Sequence, residues 1–135
     1  MADWNASVID EFRANHGEVG GHWEGKSLLL LTTIGAKSDM ERTNPLHYLA
    51  DGERYVVFAS KAGAHSHPDW YYNIKANPDV SIEVGSDIIR VQARILESTE
   101  RDELYAKQAA RHSNFAEYEK GTSRVIPVVA LTPIP

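Results

Sequence analysis

Two glycine turns most constrain what this chain can become. Asp51-Gly52 and Gly85-Ser86-Asp87 each separate runs of strand-forming residues. Turns of this composition favour positive φ, which matches the twist of a tight antiparallel hairpin. Around the second turn, Val80, Ile82 and Val84 alternate with Ser81 and Glu83, the pattern of a half-buried strand running to 84, answered by a strand over 88–96. Around the first, strands are expected over 43–49 and 54–60. Lys26 to Thr33 reads as a buried strand flanked by Gly25 and Gly35, and Val125 to Leu131 as a last one.

Helices are expected between these strands. Trp4, Val8, Ile9 and Phe12 give residues 3–16 an apolar stripe, with Gly17 suited to a left-handed C-terminal position. Pro68 suits the first turn of a helix over 68–76, which Asn77-Pro78 stops. A third runs from 98 to about 111, with Thr99 and Asp102 spaced as a capping box, and a further helical turn or two falls within 114–120. The expectation is an α+β, mainly β chain: a small barrel of about six mostly antiparallel strands with covering helices. Residues 1–135 read as one domain, with 1–24 an N-terminal helix and a flexible connector.

Composition excludes several functions. The chain has no cysteine, so disulfides, thiolate metal sites and cysteine nucleophiles are out. A net charge of −5 argues against nucleic acid as a partner, because that affinity rests on neutralising phosphates. The apolar run Leu28 to Leu31 is too short for a transmembrane segment, and Met1-Ala2-Asp3-Trp4 does not read as a signal peptide, so a cytoplasmic location is expected.

The candidate chemistry is concentrated in two loops and a helix. Lys37 and Arg42 leave the first strand together, and Lys61 follows the strand ending near Ser60. Two readings stand on spacing alone: solvated charges beside Asp39 and Glu41, or a rim of donors for phosphate or carboxylate. The segment Pro68-Asp69-Trp70-Tyr71-Tyr72-Asn73 either packs on the sheet or walls a slot for a flat ligand. His65 and His67 have no third ligand at a familiar interval, so no residue is assigned to a metal. Nucleophile-elbow, Walker and dinucleotide fingerprints are absent, so demanding chemistry would come from an organic cofactor.

Over residues 27–84 the chain resembles the deazaflavin-dependent nitroreductase family of actinobacterial oxidoreductases. The likeness rests on Leu29-Leu30-Leu31-Thr32-Thr33, Gly35, Lys37-Ser38, Arg42 and Pro45-Leu46. It continues through the Asp51-Gly52 hairpin, Ala59-Ser60, Pro68, Trp70-Tyr71, Asn73 and Ala76-Asn77-Pro78, and the tail Thr122 to Val129 resembles the family's final strand. The resemblance implies a split β-barrel binding coenzyme F-420, an 8-hydroxy-5-deazaflavin with a phospholactyl and oligoglutamate tail. It implies hydride transfer to a planar small-molecule acceptor: quinones, activated enones such as coumarins and aflatoxins, or nitroaromatics. By position, Lys37 and Arg42 match phosphate and tail contacts, with Ser38 at the Ser/Thr of the pattern, and Pro45 matches a strand contact. Ser60, Lys61 and Ala62 match the loop beside the deazaflavin, and Pro68, Trp70, Tyr71 and Asn73 the segment lining the groove. Tyr118 lies where the family often has tyrosines over the substrate, and its hydroxyl is the candidate proton donor; Phe115 nearby has none. Asp39 stands where glycine is usual, Glu41 where proline is common and His47 where a bulky residue is frequent. Related split barrels imply FMN as the alternative cofactor and a non-catalytic carrier as the alternative function. Either a monomer or a homodimer is compatible.

Overall fold

In the computed structural model, the described residues are 4–20, 27–60, 67–122 and 125–134, with side chains described from residue 6 onward. Lys61, Ala62, His65 and connector residues 21–24 fall outside them. Seven strands form one antiparallel sheet: β1 (Leu28–Ile34), β2 (Glu41–His47), β3 (Leu49–Asp51), β4 (Arg54–Phe58), β5 (Asp79–Val84), β6 (Asp87–Leu96) and β7 (Val128–Pro133). Four helices accompany them: α1 (Trp4–Ala14), α2 (Asp69–Ala76), α3 (Ser98–Arg111) and α4 (Ser113–Lys120).

The order across the sheet is β2-β1-β5-β6-β7-β4-β3. Its two edge strands are β2 and β3, yet only Tyr48 separates them in the chain. A sheet whose opposite edges are joined by one residue must curl, and this one forms a split half-barrel. Tyr48 gives its N–H to the Ser27 carbonyl, the last bond in register with the β1–β2 ladder, and the chain leaves that edge immediately after it. This corrects the expected strand over 43–49, which is two strands on opposite edges. β3 pairs with β4 across Asp51-Gly52, as expected of that hairpin, while β2 lies at the other edge of the sheet.

Alternation then sorts the side chains into an inner and two outer cores. Inside the barrel, Leu29, Leu31, Val57, Ile82, Val91, Val129 and Leu131 meet Trp70, Tyr71 and Ile74 of α2. Outside, α1 lays Val8 and Phe12 on Leu28 and Leu30. On another outer face, α3 and α4 bring Leu104, Tyr105 and Phe115 to Val56, Phe58, Val128 and Ala130. Arg101 fastens this layer: its guanidinium donates twice to the Ile126 carbonyl and sits over the Tyr105 ring. Arg54 links the β3–β4 hairpin to α3, and its hydrogen bond holds the Glu100 carboxyl below the usual range.

Smaller differences have local causes. Gly17 has positive φ (99) at the end of α1 and bonds back to the Phe12 carbonyl, and His16 before it is left-handed as well (φ 55). Gly17 also lies against the β5–β6 turn, where a Cβ would come within 2.8 Å of Gly85 Cα. The capping box is absent because the N-cap is Glu97, two residues before Thr99, which leaves Thr99 inside the helix, and Asp102 accepts from Arg101 instead. The last strand starts at Val128, not Val125: Pro127 accepts the Ala59 N–H in register but has no N–H to return, and the Ile126 carbonyl is taken by Arg101.

Candidate functional site

The β1–β2 hairpin loop, Gly35 to Met40, is shaped by its own backbone. Gly35 N–H bonds to the Met40 carbonyl, Asp39 N–H to the Gly35 carbonyl, and Met40 N–H to Ser38 Oγ. A Cβ on Gly35 would overlap Ser38 Oγ, so a larger residue there would turn that hydroxyl off its bond with the Met40 N–H. Asp39 has φ +58, the left-handed region. That accounts for a position where glycine is usual, since Asp tolerates this conformation better than most residues. Asp39→Gly should therefore raise stability by roughly 0.5–1 kcal/mol, checked by denaturant unfolding, without loss of groove shape.

Between this loop and α2 lies an open groove of about 770 Å³. The hairpin contributes Lys37, Ser38, Arg42 and Asn44, and α2 contributes Asp69, Tyr72 and Asn73. Register explains which β2 residues face it. Arg42 lies opposite Thr33 and Asn44 opposite Leu31, on the inner face. Glu41, Thr43, Pro45 and His47 point the other way, with the Thr32–Thr43 hydroxyl contact of 2.9 Å marking that face. Glu41 thus lies on the opposite side of the strand from Arg42.

Among the described residues, neither the Lys37 nor the Arg42 side chain has an ion-pair or hydrogen-bond partner, whereas those of Arg13, Arg54 and Arg101 are all paired. Two cations left open in one groove are suited to an anion. Among the described residues, Asp69, exposed in the first turn of α2, is the one carboxylate in the lining.

The helix segment divides by its periodicity. Asp69, Tyr72 and Asn73 are spaced i, i+3 and i+4 and face the groove, while Trp70 and Tyr71 turn into the barrel at 4% and 8% exposure. The aromatic presented to the groove is therefore Tyr72, 46% exposed, backed by Tyr71 and His67. Sequence reasoning did not select Tyr72, Asn44 or Asp69 as site residues; the i, i+3, i+4 spacing from Asp69 was the available signal for the helix pair. Pro68 sits in extended conformation just before α2 and does not line the groove.

Other residues lie elsewhere. Pro45 is buried opposite Leu30, and Ser60 is buried at the end of β4. Tyr118 packs on Phe115 beneath α4, its hydroxyl accepting from Asn114 Nδ2, on the α3–α4 side and not in the groove. His47 receives Gln108 Nε2 at 3.0 Å on its Nδ1 and meets the His112 ring edge-on at 4.4 Å.

Fold and groove together define a split-barrel protein with a cleft that holds two open cationic side chains beside an exposed aromatic. Residues 4–133 match the family described as F420H(2)-dependent quinone reductase. The chain is 40% identical over 125 residues to the F420H(2)-dependent quinone reductase Rv1261c of Mycobacterium tuberculosis, covering 90% of this chain and 84% of that protein. Among solved structures, the F420-H2 dependent reductase FDR-A superposes with TM-score 0.72 at 38% identity, covering 83% of this chain and 99% of its own. A domain-swapped dimer superposes with TM-score 0.74 at 35% identity, covering 96% and 97%. The haem storage protein HutZ of Vibrio cholerae shares the fold alone, with TM-score 0.62 at 18% identity over 97% of this chain and 91% of its own. The chain belongs to the F420H(2)-dependent quinone reductase family.

Proposed function

We propose that this protein oxidises reduced coenzyme F-420 and reduces a quinone, with the cofactor's anionic tail in the groove between the β1–β2 loop and α2. The observation that carries the placement is the pair of unpartnered cations, Lys37 and Arg42, in one open groove. The residues fit such a group. A phosphodiester and glutamates need cationic donors, which the loop supplies, and a flat ring needs an apolar face, which Tyr72 offers nearby.

When bound, the deazaflavin supplies a hydride equivalent. The protein's part is orientation and electrostatics. Arg42 offers a planar fork to a phosphate oxygen pair, and Lys37 a flexible point charge to a second anionic group. Ser38 and Asn44 add neutral donors. Asp69 opposes excess negative charge at the α2 end, so the tail is favoured on the hairpin side. Activated enones and nitroaromatics share the electron-poor conjugation of quinones and are proposed as further acceptors. Tyr118 does not line this groove; its ring packs on the α3–α4 layer and its hydroxyl accepts from Asn114 on the same helix.

Half-buried apolar side chains on the barrel's inner side, Leu46, Tyr55, Ile89 and Ile95 among them, support a homodimer, in keeping with the similarity to a dimeric structure. Titration of the purified protein with coenzyme F-420 and with FMN, followed by tryptophan fluorescence, tests the cofactor. Saturation by F-420 and quinone-dependent reoxidation of its reduced form are expected. Binding of FMN with none of F-420 would overturn the reading.

A further inference from the structure

We infer that Asn73 and Thr33 are positioning residues: they set the groove's preference for an anionic ligand by fixing the β1–β2 loop, without contacting the ligand through their polar groups. The inference rests on the proposed placement of the tail in this groove.

Asn73 is only 6% exposed, and both ends of its amide are engaged within the protein. Its Oδ1 accepts the Ala36 N–H at 2.9 Å, and its Nδ2 donates to Thr33 Oγ1 at 3.0 Å. A backbone N–H can only donate, so the first bond fixes which way the amide points. Thr33 must then accept. Thr33 itself is 1% exposed at the end of β1, and it does not line the groove.

The rest of the loop's hydrogen bonds, from Gly35, Asp39 and Met40, are internal to it. They give the turn its shape but do not place it relative to α2. Among the described residues, the bond from Ala36 N–H to Asn73 is the one hydrogen bond between this loop and α2. Ala36 immediately precedes Lys37, so the bond sets where the Lys37 backbone stands across the groove from Asp69 and Tyr72. Pre-organising a charged loop in its bound position reduces the ordering cost of binding. Removing the Thr33 hydroxyl would leave a buried Nδ2–H without an acceptor, and relieving that requires the Asn73 amide to rotate away from Ala36.

The test compares coenzyme F-420 with its tail-less 8-hydroxy-5-deazaflavin chromophore, both binding to the full chain. The ratio of the two affinities is read, because partial unfolding of a variant lowers both equally. The wild-type protein should prefer the tailed form. Thr33→Val should lose roughly tenfold of that preference, while Thr33→Ser, which keeps the hydroxyl, restores it. Asn73→Ala should lose at least as much, and combining it with Thr33→Val should add little. A wild-type ratio in Thr33→Val would overturn the positioning role, leaving direct contact by Asn73. Equal binding of both compounds by the wild-type protein would instead overturn the placement of the tail itself.

Discussion

Alanine at Arg42 is expected to weaken coenzyme F-420 binding by about 1.5–3 kcal/mol, a loss of roughly 10- to 150-fold. The guanidinium stands in the groove with no internal partner, so no structural ion pair is broken by its removal. Arg42 is exposed on a strand whose opposite face is anchored by Pro45 against Leu30, and folding should be little affected. Lys37→Ala should follow in the same direction with a smaller loss, since an ammonium on a flexible stem gives one contact where the fork gives two. Calorimetric titration at two salt concentrations reads this out. Wild-type affinity should fall as salt rises, and Arg42→Ala should be less sensitive, because one screened contact is gone. Equal affinities for wild type and both variants would remove the basis for the tail site.

The largest loss of stability is expected from Phe12→Ala, about 3–5 kcal/mol. Phe12 is completely buried between α1 and the outer face of β1, where Leu28 and Leu30 meet it with Val8 and Val19. The helix cannot slide to close the resulting cavity. The Arg13 guanidinium holds Glu83 through two hydrogen bonds, and Gly17 lies close against Gly85. Denaturant unfolding measures the effect. The groove is formed on the other face of the β1–β2 hairpin, so Phe12→Ala should keep its F-420 affinity under conditions where it remains folded. A loss below about 1 kcal/mol would mean that α1 is not fixed as described.

The sheet was legible largely because its hairpins are local. Asp51-Gly52 and Gly85-Ser86 declare their own geometry, and Gly52 and Gly85 both adopt positive φ at those turns. The division at Tyr48 was hidden, because 43–49 has no glycine or charge pattern to mark a break, and the bond to the Ser27 carbonyl is a tertiary fact. On α2, the aromatic run looked like a single surface until periodicity sent Trp70 and Tyr71 inward and left Tyr72 outside. In one dimension, Asp39 and Glu41 read as neighbours of two solvated cations. Strand alternation turns Glu41 away, while Asp39 serves a left-handed turn. Asp69, distant in sequence, is the acid that shares the groove. Asn73 was legible as a motif residue, but its bonds to Ala36 and Thr33 join positions some forty residues apart and leave no local trace.

A crystal structure with coenzyme F-420 bound would show whether the anionic tail occupies the groove between the β1–β2 loop and α2. A tail phosphate oxygen is expected within about 2.7–2.9 Å of the Arg42 guanidinium, with Lys37 at hydrogen-bonding distance from a second anionic oxygen. A tail running over the α3–α4 face, with Lys37 and Arg42 left in solvent, would contradict it.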